Sequence, residues 1–146
     1  MRTIRGVALV LAIAVIGQLV LGADALRLGV VAHLPGSLGA QATFAERLAV
    51  ELGVALSGPG VLVARYYLAP WEIGRMSLLP VVGAGGAVAF LPGDLVAWGA
   101  YALAGLELPV LGTSLYLTAD LVIVLPLPPG AGTLHVGPQL GVRLEF

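Results

Sequence analysis

Cysteine, lysine and asparagine are absent from this 146-residue chain, and charge of either sign is scarce. Without cysteine there can be no disulfide scaffold, no thiolate zinc site and no thiol catalysis. Without lysine, all seven basic side chains are Arg. A GC-rich coding bias would give that preference, and the lack of Asn also suits a hot environment. Charged residues make up 10% of the chain, against about 25% in typical soluble domains. The net charge of −1 leaves no polybasic footprint, so nucleic acid is not an expected partner. What abounds is apolar: 59% of residues are hydrophobic. A small domain of this composition exposes too much apolar surface to stay monomeric in water, and has too much to bury to be disordered. The length allows one domain. Composition therefore points to a membrane.

Residues 1–25 read as a secretory signal peptide. Arg2 and Arg5 supply the positive start, Gly6 to Leu21 is apolar apart from Gln18, and Ala23-Asp24-Ala25 has the small-x-small form of a cleavage site. The mature chain is expected to begin near Leu26. A retained transmembrane helix is the competing reading, since 17–25 apolar residues can span.

From Leu26 onward the pattern has a period of two. The last 14 residues alternate without a break. Leu134, Val136, Pro138, Leu140, Val142, Leu144 and Phe146 are interleaved with Thr133, His135, Gly137, Gln139, Gly141, Arg143 and Glu145. A strand turns such alternation into two faces and a helix cannot. The same pattern runs through 26–34, 48–57, 61–68 and 114–125. Turn residues punctuate it at Pro35-Gly36, Phe44 to Arg47, Ser57 to Gly60, Pro70 to Met76, Pro92 to Asp94, Pro109 to Thr113 and Pro126 to Gly132. These breaks predict strands near 26–34, 37–43, 48–57, 61–69, 77–91, 95–108, 114–125 and 133–146. Residues 26–44 keep one alternation throughout and could form a single strand, which would leave seven. The glycine-rich run Val81 to Gly86 has neither phosphate-loop spacing. It reads as strand glycine in a tightly packed barrel.

A membrane-spanning segment must satisfy its own backbone, so only helices and closed barrels qualify. Pro80, Pro92, Pro109 and Pro126 cut the most apolar region into pieces shorter than the ~20 residues a helix needs. A barrel strand needs only about 9–11. The leader, the alternating strands and the terminal Gly141-Val142-Arg143-Leu144-Glu145-Phe146 resemble a small bacterial outer-membrane β-barrel of the eight-stranded OmpA/OmpX type. The resemblance covers residues 26–146 in pattern and only the last strand in motif. It implies an all-β, eight-stranded, antiparallel up-and-down transmembrane barrel. It further implies residence in the outer membrane, contact with outer-membrane lipid, and a last strand read by the barrel-assembly machinery through Leu140, Val142, Leu144 and Phe146. With periplasmic termini, Phe44, Tyr66 and Phe146 would lie outward at the periplasmic interface. The chain departs from that family in its high apolar content and very short loops. A soluble secreted barrel binding an apolar ligand and a helical membrane protein stay open.

Chemistry is sparse. Ser37, Ser57, Ser77 and Ser114 lack the setting of a nucleophile, and His33 and His135 lie on different strands without ligand-spaced carboxylates. No catalytic residue, metal or cofactor is expected, and His33 reads as a polar lumen or rim residue. A lipid-modifying barrel enzyme is the remaining catalytic alternative. Arg27, Glu51, Arg65, Glu107, Asp120, Arg143 and Glu145 all fall on the face turned from lipid. An eight-stranded barrel is filled by its side chains, and buried charges must be paired. These residues are therefore expected to form a lumen ion-pair network, with a gated polar path as the functional alternative. A three-residue loop within Ser57 to Gly60 would set residue 51 opposite 65 or 67 and pair Glu51 with Arg65.

Overall fold

The computed structural model describes residues 26–44, 46–55, 60–91, 94–127 and 133–146. Residues 1–25, with the expected leader and cleavage site, lie outside them. The described chain folds into β1 (Leu26–Leu34), β2 (Ser37–Phe44), β3 (Leu48–Ala55), β4 (Gly60–Tyr67), β5 (Trp71–Ile73), β6 (Met76–Leu91), β7 (Asp94–Pro109), β8 (Leu115–Leu127) and β9 (His135–Glu145). Neighbours in sequence pair antiparallel, β4 skips the short β5 to pair with β6, and β9 pairs with β1. Eight strands thus close a barrel in which every strand has two neighbours, the solution that spares an apolar sheet from edge-to-edge association. Among the described residues no helix is long and apolar enough to cross a membrane. An all-strand wall removes the helical alternative for this part of the chain.

Residues 26–44 form two strands, not one. Pro35 and Gly36 break the strand while the alternation continues across them, with Gly36 at φ 129° and its amide donating to the His33 carbonyl. The segment Pro70 to Met76, read as a turn, contains a strand: β5 pairs with residues 76–78 as an extension of the β4–β6 hairpin. Gly74 at φ 63° makes its tip, a conformation glycine adopts without Cβ strain.

The hydrogen-bonded pairs also fix the geometry of closure. Stepping partner to partner from Leu26 visits Phe44, Leu48, Tyr66, Val82, Ala104, Leu121 and Pro138. Pro138 stands two residues past Leu140, the partner of Leu34, so the circuit returns to β1 level with position 36. That is a shear of ten residues. Ten residue rises over eight strand spacings correspond to a tilt of about 40°. At that tilt the nine residues of β1 span roughly 20–25 Å of height, close to the ~25 Å apolar band of outer-membrane barrels.

Alternation sorts the side chains. In β1, Gly29, Val31 and His33 are buried and Val30, Ala32 and Leu34 exposed; in β8, Thr118, Asp120 and Val122 are buried while Leu117, Ala119 and Leu121 are exposed. One half of the lumen is apolar, where Val63, Val81, Leu103 and Val122 pack with Tyr67 and Tyr101. Glycine lets the wall approach them. At Gly83 a Cβ would stand 3.0 Å from Leu103 Cγ and 2.9 Å from the Ala64 carbonyl.

Two of the three expected belt aromatics, Tyr66 and Phe146, are exposed. Phe44 is corrected. It shares the outward register of Leu26 and Leu48, yet it is 8% exposed, and Ala42 beside it is also buried. Phe44 therefore lies on the outward side of the wall without being exposed there.

Candidate functional site

The other half of the lumen holds the charges, and strand tilt brings them together. Arg65 projects inward from β4 and is fully buried. Its Nη1 donates to Glu51 Oε2 at 2.6 Å and its Nη2 to Asp120 Oδ2 at 2.6 Å. Glu107 Oε1 lies 3.9 Å from the same Nη2. Glu107 in turn accepts from Arg143 Nη2 at 2.7 Å and from the Tyr67 hydroxyl at 2.9 Å. Arg143 Nη1 also donates to Glu145, which pairs with Arg27 at 3.0 Å. At the far end, His33 Nε2 lies 2.9 Å from Glu51 Oε1. The groups form one connected ladder along the barrel axis. It runs from His33, beside the β1–β2 turn, to Arg27 near the rim that carries Phe146.

All seven residues expected in the network take part. Arg27 differs from the rest because its side chain is 45% exposed. It closes the ladder at the mouth, where ion pairs contribute little.

The register behind the Glu51–Arg65 pair differs from the expected one. Glu51 stands opposite Val63, and Ala49 opposite Arg65. Val54 and Gly60 are the last pair, so the connection is longer than three residues and the two strands sit one pair further along. The ion pair forms across the diagonal, a separation a long side chain covers.

Several members were not singled out from sequence. Gln41 Nε2 donates to the Tyr67 hydroxyl at 2.9 Å and to Thr43 Oγ1 at 3.2 Å. The Tyr116 ring lies 3.8 Å from the Arg143 guanidinium carbon, cation over aromatic face. Each occupies the same inward parity as the charges, which is the signal that could have found them. Glycine again clears the space. A Cβ on Gly105 would collide with Asp120 Oδ1 and stand 2.6 Å from the Ala119 carbonyl. Gly105 thus admits the carboxylate that Arg65 requires.

The bonded lumen carries four carboxylates against three guanidiniums, with His33 on the carboxylate-rich side. Such an arrangement can hold a wall rigid and exclude ions. Among the described residues no cluster of His, Asp and Glu has the geometry of a metal site. Ser37, Ser77, Ser114 and the two histidines form no nucleophile–base pair among the described hydrogen bonds, and Ser57 lies outside the described residues.

No protein-family model matches the chain, and no curated protein shows significant similarity to it. A solved structure described as "De novo design of transmembrane beta-barrels" is similar with a TM-score of 0.46 and 18% identity, over 83% of this chain and 92% of that one.

Proposed function

We propose that the chain is an integral barrel of a bacterial outer membrane, with a structural role in the envelope and no catalytic activity. One observation carries this reading. No outward-facing side chain described on the eight barrel strands is charged, whereas every charged side chain described on them points inward. Leu34, Leu38, Leu48, Val54, Leu62, Leu121 and Leu140 are each about half exposed or more. A soluble barrel that binds an apolar ligand needs the reverse, a wet exterior and an oily interior. An apolar exterior this continuous is stable only against lipid or another apolar surface.

The ladder then serves as a rigid plug rather than a path, because its guanidiniums bond to carboxylates on four different strands. Leu140, Val142, Leu144 and Phe146, exposed along the last strand, would be the face presented to lipid and to the assembly machinery. The leader at 1–25 would direct export and be removed near Leu26.

Depth-graded substitution tests the reading. Val142 lies mid-wall between Ala32 and Leu117, and Leu48, the first residue of β3, lies near the Phe146 rim. In vesicles, Val142→Arg is expected to lower the unfolding free energy by about 2–4 kcal/mol and Leu48→Arg by about 0–1. Equal costs at both depths, or none, would count against a lipid-facing wall.

A further inference from the structure

The two mouths of the barrel differ in chemistry. The mouth near Phe146 is lined by Arg27, Glu46, Arg47, Arg143 and Glu145. At the opposite mouth lies a cavity of about 580 Å³ whose described lining carries no Asp, Glu or Arg. Val61, Val122 and the Tyr101 ring form its apolar side. Its base is a hydrogen-bonded row in which the Tyr101 hydroxyl donates to Gln139 at 3.2 Å and Gln139 Nε2 approaches Ser37 Oγ at 3.5 Å.

This cavity draws its lining from both faces of β9. Its lining includes Gly137 and Gln139, which face the lumen, and also Val136 and Pro138, which face outward. The register explains how. β1 ends at Leu34, paired with Leu140, whereas β9 continues five residues further to His135, paired only with β8 among the described residues. Pro138, which has no amide to donate, sits in that unpaired stretch, where a sheet edge tolerates it. The wall is therefore notched above Pro35-Gly36. On the high side the outer face of β8 stays apolar and exposed up to Leu125. At the barrel's tilt, Leu125 stands about 9 Å above the top of β1. A bilayer that covers Leu125 also covers the notch.

We propose that this cavity takes one acyl chain of a membrane amphiphile, entering sideways over the β1–β2 turn. The proposal rests on the membrane-spanning reading above. An uncharged apolar side disfavours ionic ligands, and the volume falls within the range for a small ligand. Ser37, Gln139 and His135 offer hydrogen bonds to the polar end of the chain. The acyl chemistry is shared by a free fatty acid and a phospholipid.

The chain has no cysteine, so single labels are unambiguous. Bimane would be placed at His135→Cys, in the cavity, and separately at Leu140→Cys, on the outer wall, in phosphatidylcholine vesicles. Doxyl-labelled stearic acid and doxyl-labelled phosphatidylcholine would be added in separate arms. Quenching at 135 comparable to that at 140 is expected, and the effective arm identifies the source of the chain. Gly137→Phe should abolish quenching at 135 and leave it intact at 140. A Cβ at Gly137 meets only the His135 ring, 3.4 Å from Nε2, so this variant has room to fold. Quenching at 140 alone would overturn the cavity and leave the membrane reading standing. Quenching at neither position would overturn both. Quenching at 135 that survives Gly137→Phe would mean the label reaches lipid without the cavity, and would also overturn the proposal.

Discussion

Arg65→Met is expected to be among the most damaging single substitutions in the barrel, costing about 3–5 kcal/mol of unfolding free energy. The reason is what it leaves behind. Arg65 is fully buried and bonds to Glu51 and Asp120 at 2.6 Å each. Removing it strands two carboxylates in a narrow lumen, where an unpaired charge is far costlier than in water. Because two partners are involved, neutralising Glu51 alone cannot rescue the loss. The informative variant is the triple Arg65→Met, Glu51→Gln, Asp120→Asn, expected to recover most of the stability. Urea unfolding in micelles, followed by strand circular dichroism, measures the full cycle. Strictly additive losses would show that the three side chains do not interact.

Gly85→Ala should be comparably severe for a different reason. Gly85 faces Val63 across the β4–β6 seam. A Cβ there would run into the Leu62 carbonyl oxygen and stand 2.7 Å from Val63 Cα. These are backbone atoms of a closed wall, and they cannot turn aside as a side chain can. Overpacking ordinarily costs about 1–3 kcal/mol; here a loss at or above the top of that range is expected. Gly137→Ala, whose Cβ would meet only the His135 ring at ordinary contact distance, is the control and should change stability by less than about 0.5 kcal/mol. A Gly85→Ala barrel that unfolds with the parent's midpoint would show that the seam is looser than its geometry indicates.

The alternation in 26–34, 48–57, 61–68, 114–125 and 133–146 was legible because the barrel is an inside-out object, whereas 77–108, apolar or small on both faces, showed little of it. Contrast between neighbours is greatest when one face meets lipid-like surroundings and the other holds Arg65, Glu107 and Asp120. That contrast also put the charges on one side before any contact was known. Register was not legible. The Glu51–Arg65 offset depends on how many residues cross between β3 and β4, and turn composition at Ser57 to Gly60 does not fix that number. Contacts across the lumen, such as Arg65 with Asp120 or Arg143 with Glu107, depend on the ten-residue shear. That shear accumulates over eight pairings and has no local sequence signal. β5 was hidden because Pro70 and Gly74 mark a break correctly while Trp71 to Ile73 between them still pair. Pro109 and Pro126 marked breaks one and two residues early, since proline is tolerated near the ends of strands. The notch beside Pro138 follows from unequal strand lengths, and the alternation passes through it unchanged.

The measurement closest to the central claim is a cysteine scan along β8 from Leu115 to Leu125 in vesicles, with a spin label at each position. Accessibility to a lipid-phase relaxant should alternate with a period of two. It should be high at Leu117, Ala119, Leu121 and Ile123 and low at Thr118, Asp120 and Val122. A strand whose odd positions respond instead to a water-soluble relaxant would mean that the apolar face does not meet lipid, and the membrane-spanning barrel would have to be abandoned.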